Sequence, residues 1–137
     1  MTVSALAQPV AGLTSLPVNP DEGFPQSFLV ALAGRTYRVE LYVDVPEHLL
    51  PREPGQRESV DVVGGAAGPA IGLLVATIAR QEPDGTLVSL LRRRLLPGLL
   101  YSARELLLVV DEVRVAAGNL NGAGPFGSVL RARVGAR

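Results

Sequence analysis

The fold is decided by residues 70–95, which read AIGLLVATIARQEPDGTLVSLLRRRL. Two apolar stretches in this segment flank a polar link at 81–85. In the link, Pro83 presets φ for a turn, the Asp84 side chain can bond to nearby backbone, and Gly85 accepts positive φ. The pattern predicts an antiparallel hairpin at the centre of the domain.

On the N-terminal side of this hairpin, apolar and polar residues alternate through 27–44. Such alternation is the pattern of half-buried strands. The short link Ala33-Gly34 divides the stretch in two and predicts a second antiparallel hairpin. The apolar positions are Phe28, Val30 and Leu32 before the link, and Tyr37, Val39, Leu41 and Val43 after it.

Further strands are predicted at 57–63 and 126–134, where the alternation returns. The stretch 104–115 suits either a buried strand or one side of a short helix, and its β-branched valines favour the strand. Together these elements predict an all-β fold, either an antiparallel β-sandwich or a small barrel, of about seven to eight strands.

Residues 1–26 differ from the rest of the chain. They are interrupted by prolines and hold small apolar residues without helical periodicity, so we expect an extended N-terminal arm. Such an arm either lies across a neighbouring subunit or remains a disordered terminus. It has no basic start and makes a poor signal peptide. Residues 27–137 are predicted to be a single β-domain, because 47% hydrophobic residues suffice for one core.

The charge balance restricts the class of partner. The chain has 13 basic residues, all arginine, and 13 acidic residues, which give a net charge of +0. Phosphate neutralisation or binding to an anionic membrane would need an excess of cations. Neutrality with a mean hydropathy of +0.28 is typical of a surface that associates with protein. We therefore expect a homo-oligomer, with no nucleic acid and no membrane as partners.

The sequence offers few residues for catalysis or metal binding. Asp44, Glu47 and His48 are the one suitable grouping, but a metal site needs three or four converging ligands and the chain has one histidine. Asp111 and Glu112 are adjacent, so a regular strand would point them to opposite faces, unlike the paired carboxylates of glycosidases. There is no Gly-x-Ser-x-Gly nucleophile motif and no Cys. The sequence predicts a protein that is not an enzyme and uses no cofactor or metal.

Three regions are candidate subunit contacts: the arm, the arginine run Arg92-Arg93-Arg94 and the Gly/Asn-rich loop at 116–125. The arginine run is either a solvated guard on an edge strand or a ring that pairs with carboxylates of a neighbouring subunit. In a strand, Arg93 would point away from Arg92 and Arg94. The loop is small and adaptable, which suits a contact surface. The candidate contact residues are Leu13, Leu16, Val18, Arg92, Arg93, Arg94, Asn119, Leu120 and Asn121.

The first hairpin carries the pattern F-x-V-x-L-x-G-x-x-Y-x-x-x-L-x-V, formed by Phe28, Val30, Leu32, Gly34, Tyr37, Leu41 and Val43. In this pattern it resembles small β-structured, plug-like proteins of the tails and baseplates of tailed bacteriophages. The resemblance implies a structural protein of the virion that forms a ring, collar or plug and contacts other virion structural proteins. The expected location is the virion, otherwise the cytoplasm. The alternative is a monomeric β-barrel that binds an apolar small molecule among its Leu and Val side chains.

Overall fold

The computed structural model describes residues 2–5, 12–46, 48, 60–64 and 72–137, and in these ranges the chain is all-β, as predicted. The strands are β1 (Thr2–Ala5), β2 (Thr14–Ser15), β3 (Gln26–Leu32), β4 (Arg35–Asp44), β5 (Asp61–Val63), β6 (Leu73–Gln81), β7 (Leu87–Leu95), β8 (Leu99–Ala103), β9 (Leu106–Ala116) and β10 (Val129–Ala136). This is more than the seven to eight strands expected, because the N-terminal segment and β8 add strands that the sequence did not indicate. No helix among the described residues is long and apolar enough to cross a membrane.

The strands form two antiparallel sheets. The larger follows the order β1-β8-β9-β10-β2, with short β5 paired to β9, and the smaller follows the order β3-β4-β6-β7. No ladder joins the two sheets in the described part of the chain, so each sheet is open. The sandwich is therefore confirmed, and the alternative of a closed barrel is wrong.

Both predicted hairpins are present in the smaller sheet. In the turn between β6 and β7, Gly85 has a φ of 89° and the Asp84 carboxylate accepts a 2.9 Å bond from the Thr86 N–H. That backbone bond lowers the pKa of Asp84. Between β3 and β4, Ala33 and Gly34 both have positive φ, which is the geometry of a type I′ turn. Both predicted hairpins are confirmed, and so are the roles predicted for Asp84 and Gly85 in the turn between β6 and β7.

The N-terminal segment is not an arm that lies apart from the β-domain, and this expectation is corrected. Strand β1 pairs with β8, and β2 pairs with β10, so the segment supplies both outer strands of the larger sheet. The Leu16 side chain is buried, and its N–H donates a 2.8 Å bond to the Ala132 carbonyl. Without β1 and β2, the backbone groups on the sides of β8 and β10 that face away from β9 would lose these partners, which favours pairing within the chain.

One apolar core lies between the two sheets. It is built from the inward positions of the long strands, because a period of two places every second side chain on the same face. Its largest members on the smaller sheet are Tyr37, Leu41, Leu74 and Ile78, and on the larger sheet Tyr101, Leu108, Val110 and Val115. The inner faces are thus occupied, which leaves edges and outer faces as the surfaces available to other proteins.

Candidate functional site: the edges of the sandwich

Strand β7 forms one edge of the smaller sheet, and that edge is charged. The Arg93 guanidinium lies over the ring of Tyr101 in β8, 5.5 Å from its centroid. Arg94 instead lies on the outer face, where its Nη2 is 3.6 Å from an oxygen of Asp44. Arg93 therefore points away from Arg94, as the alternation predicts, and Arg92 is exposed. Charged side chains along an edge oppose pairing with another strand, so this edge is guarded.

Strand β3 forms the opposite edge of the same sheet and has no charged residue. Its sequence, QSFLVAL, also lacks the proline that blocks many natural edges. The strand is seven residues long, whereas the described residues include four of β1 and two of β2 at the edges of the larger sheet. Short strands are a common protection of sheet edges. Strand β3 is therefore a long edge in this sandwich that neither charge nor shortness protects.

The hairpin geometry shows which backbone groups of β3 are not bonded to β4. Leu32 and Arg35 flank the two-residue turn and form a hydrogen-bonded pair, and along antiparallel strands such pairs alternate with non-bonded ones. Ser27, Leu29 and Ala31 therefore direct their N–H and C=O groups away from β4. No described strand pairs with that side of β3. The edge offers these donors and acceptors to another strand.

The side chains of β3 are apolar on both faces. Leu29 is 56% exposed, the highest value among the large apolar residues that the structure describes as exposed. On the inner face, Phe28, Val30 and Leu32 are only partly buried against the core. A further strand beside β3 would cover these side chains and satisfy the free backbone groups together.

The contact candidates named from the sequence do not gather on one surface. The side chains of Leu16 and Asn119 lie in the chain's own interior, and their assignment as subunit contacts is corrected for that reason. Leu13 approaches the backbone of Gly135 in β10, while Val18 and Leu120 pack partly against the core. Asn121 is exposed.

Asn119 holds the Gly/Asn-rich loop in place. Its Nδ2 donates a 3.0 Å bond to the Gly124 carbonyl, and its Oδ1 accepts a 2.6 Å bond from the Ser128 hydroxyl. The Ser128 Oγ in turn accepts a 2.8 Å bond from the Ala116 N–H at the end of β9. A buried side-chain amide is stable only when it is bonded in this way. The loop is thus anchored to the sandwich through Asn119.

Glu105, in the turn between β8 and β9, joins the two sheets at one end of the sandwich. Its carboxylate accepts bonds from the Arg35 and Arg80 guanidinium groups and from the Tyr37 hydroxyl, the last at 3.1 Å. Burial opposes ionisation of Glu105, but the bonds from Arg35 and Tyr37 and the charges of Arg80 and Arg35 outweigh it and hold the Glu105 pKa below its ordinary value. Burial and the bond to Glu105 raise the pKa of Tyr37.

A surface groove of about 480 Å³ lies beside this cluster, lined in part by Arg35, Arg80 and Glu82. Arg80 also donates a 2.6 Å bond to Glu82. Since both guanidinium groups are already paired with carboxylates, the groove has no excess positive charge for an anionic ligand. We interpret the cluster as a clamp between the sheets.

The adjacent carboxylates Asp111 and Glu112 lie on the same face, and the expectation of opposite faces was wrong. The register of β9 against β10 shifts at this point, which is a β-bulge, and a bulge interrupts the alternation of side chains. Asp111 accepts two bonds of 2.8 Å from Arg133, and Glu112 pairs with Arg131. Both carboxylates are thus engaged by arginines of the neighbouring strand.

The loop grouping named from the sequence is only partly described. Asp44 and His48 are exposed, and Glu47 lies outside the described residues. Within the residues that the structure describes, no three His, Cys, Asp or Glu side chains are placed to hold a metal ion.

The sequence predicts β3 as a strand but does not show that it lies at an edge. Edge position depends on which strands pair over long distances, and β4 pairs with β6 across a long intervening segment. The available signal was the absence of charge in 26–32, which contrasts with the charged residues of β4 and β7. No protein-family model, no curated protein and no solved structure matches this chain.

Proposed function

We propose that this chain is a non-enzymatic structural assembly subunit of a virion, belonging to a phage tail, a baseplate or a capsid-associated structure. In this proposal it forms a homo-oligomer and contacts other virion structural proteins through the edge of β3. The resemblance of the first hairpin to small tail and baseplate proteins supports the virion setting. The neutral charge balance supports protein rather than nucleic acid as the partner.

The observation that carries the proposal is the contrast between β3 and the other edges. The larger sheet ends in the short strands β1 and β2, and β7 carries the three arginines. Strand β3 instead combines backbone groups that no described strand bonds with an exposed leucine. Natural proteins normally block such an edge because it promotes association. An edge left in this state is explained by a partner that pairs with it.

The test is the mass of the protein in solution, measured by light scattering for the natural chain and for Leu29→Glu. In the isolated subunit the new carboxylate lies across from Arg38, its partner position on β4, which favours a folded subunit. A charge on the edge opposes association, so we expect a folded variant whose assembly is weakened by about 100-fold or more.

The matched control is Leu87→Glu, because Leu87 is also an exposed leucine, 47% accessible, but lies on the guarded β7 edge. This control should assemble like the natural chain. A natural chain that stays monomeric at every concentration and does not co-purify with larger particles would overturn the proposed function.

A further inference from the structure

We infer that β3 pairs with β3 of a second copy of this chain, antiparallel and about a two-fold axis at Leu29. The two four-stranded sheets then become one continuous sheet across the dimer. This inference rests on the proposed function and names the first partner as the chain itself.

The register follows from the free backbone groups. Ser27, Leu29 and Ala31 face outward and are evenly spaced, so a two-fold axis at Leu29 sets Leu29 opposite Leu29 and Ser27 opposite Ala31 of the second copy. Each of these is then a hydrogen-bonded pair in which both N–H and both C=O groups are used. The seam would contain about six backbone bonds.

The side chains suit this register. On the outer face the two exposed leucines meet at the axis, with the small residues Ser27 and Ala31 on either side, so nothing bulky hinders the approach. On the inner face, Phe28 lies opposite Val30 of the second copy. Both are only partly buried in the single chain, so the seam removes apolar surface from water on both faces of the sheet.

The charges favour self-pairing and its antiparallel direction. In this two-fold seam only Leu29, on the axis, meets its own counterpart, and because β3 has no charged residue no like charges face each other at any position of the seam. The exposed acidic residues Asp21 and Glu22 precede β3, whereas Arg35, which follows it, is already paired with Glu105 of the same chain. Antiparallel pairing keeps the Asp21 and Glu22 carboxylates of the two copies at opposite ends of the seam, whereas parallel pairing would bring these like charges together.

The test uses single cysteines, because the natural chain has none and each variant then contains one thiol. Hydrogen-bonded antiparallel partners lie about 5.5 Å apart between Cα atoms, which is within the range that a disulfide spans. Under mild oxidation Leu29→Cys should give a covalent dimer. Ser27→Cys alone should not form a covalent dimer, since the cysteines at position 27 of the two copies would be about 14 Å apart along the seam.

The register is tested further by mixing two variants. Ser27→Cys mixed with Ala31→Cys should give the mixed disulfide, while Leu87→Cys, on the other edge, should remain monomeric on a non-reducing gel. Circular dichroism of each variant verifies that the fold is retained.

The results distinguish a failure of the β3 self-pairing from a failure of the proposed function. If the chain assembles by mass and Leu29→Glu weakens that assembly, but Leu29→Cys and the Ser27/Ala31 mixture do not link, or Leu87→Cys links equally well, self-pairing of β3 is wrong while the proposed function stands. If the natural chain is monomeric and absent from larger particles, both are wrong.

Discussion

Glu105 accepts side-chain hydrogen bonds from three residues that are distant from it in the sequence, Arg35, Tyr37 and Arg80. Its carboxylate connects the turn of the larger sheet with β4 and β6 of the smaller one. Because the folded state lowers the Glu105 pKa, ionised Glu105 stabilises the fold. That contribution is complete above the ordinary pKa of 4.5 and is lost as the pH falls through the lower pKa of the folded state.

We expect Glu105→Gln to lower the melting temperature by several degrees at neutral pH, because the charge that faces two arginines is removed. Below pH 4.5 the difference from the natural chain should shrink, as the natural carboxyl becomes protonated too. Glu82→Gln is the matched control, since Glu82 bonds with Arg80, only two residues earlier in the chain, and does not join the sheets. Equal melting temperatures for Glu105→Gln and the natural chain at neutral pH would contradict the interpretation that Glu105 stabilises the fold by joining the two sheets.

At the residue scale the sequence predicted local chemistry well and distant contacts poorly. The turn at Asp84-Gly85 and the alternating directions of the side chains in the arginine run depend on near neighbours, and both were predicted. The interior position of Asn119 depends on Ser128 and the loop between them, so sequence reasoning placed it on the surface. The bulge at Asp111 also has no local signal, because it is defined by the register of the partner strand.

At the scale of elements, β1 and β2 are the unexpected part of the fold. Each is too short to be stable as an isolated strand, and their neighbours β8 and β10 provide the hydrogen-bond partners. Composition suggested an arm because small apolar residues and prolines are common to free arms and to edge strands. Only the long-range pairing distinguishes the two, so the sequence predicted the extended conformation but not its partner.

Deletion of residues 1–16 should therefore damage the domain itself. The truncated chain loses β1, β2 and the buried Leu16, and truncation of one buried leucine alone costs about 2–5 kcal/mol. The uncovered edges of β8 and β10 should also cause aggregation. Thermal melts and light scattering measure both effects.

The same deletion made in the Leu29→Glu background is the control. It should aggregate equally, because these edges belong to the larger sheet and not to β3. A truncated chain that melts at the natural temperature and stays dispersed would mean that the N-terminal strands are dispensable.

At the scale of the whole molecule, the edges of the sandwich differ in how they are protected against pairing with another strand. The larger sheet ends in short strands and the edge strand β7 carries three arginines, while the edge strand β3 is long, neutral and exposed. All-β architecture and both hairpins were predictable from periodicity and turn residues. The edge that we propose for assembly was not, because it emerges only when every strand has been assigned its neighbours.

Backbone amide hydrogen exchange along β3 tests this account most directly. In the monomeric Leu29→Glu variant, the amides of residue 27, residue 29 and residue 31 should exchange fast, while those of Phe28 and Val30 are protected by β4. In the assembled natural chain all of them should exchange slowly, because the free side of β3 is then bonded. If the amides of Ser27, Leu29 and Ala31 still exchange fast in the assembled chain, β3 is not the assembly edge.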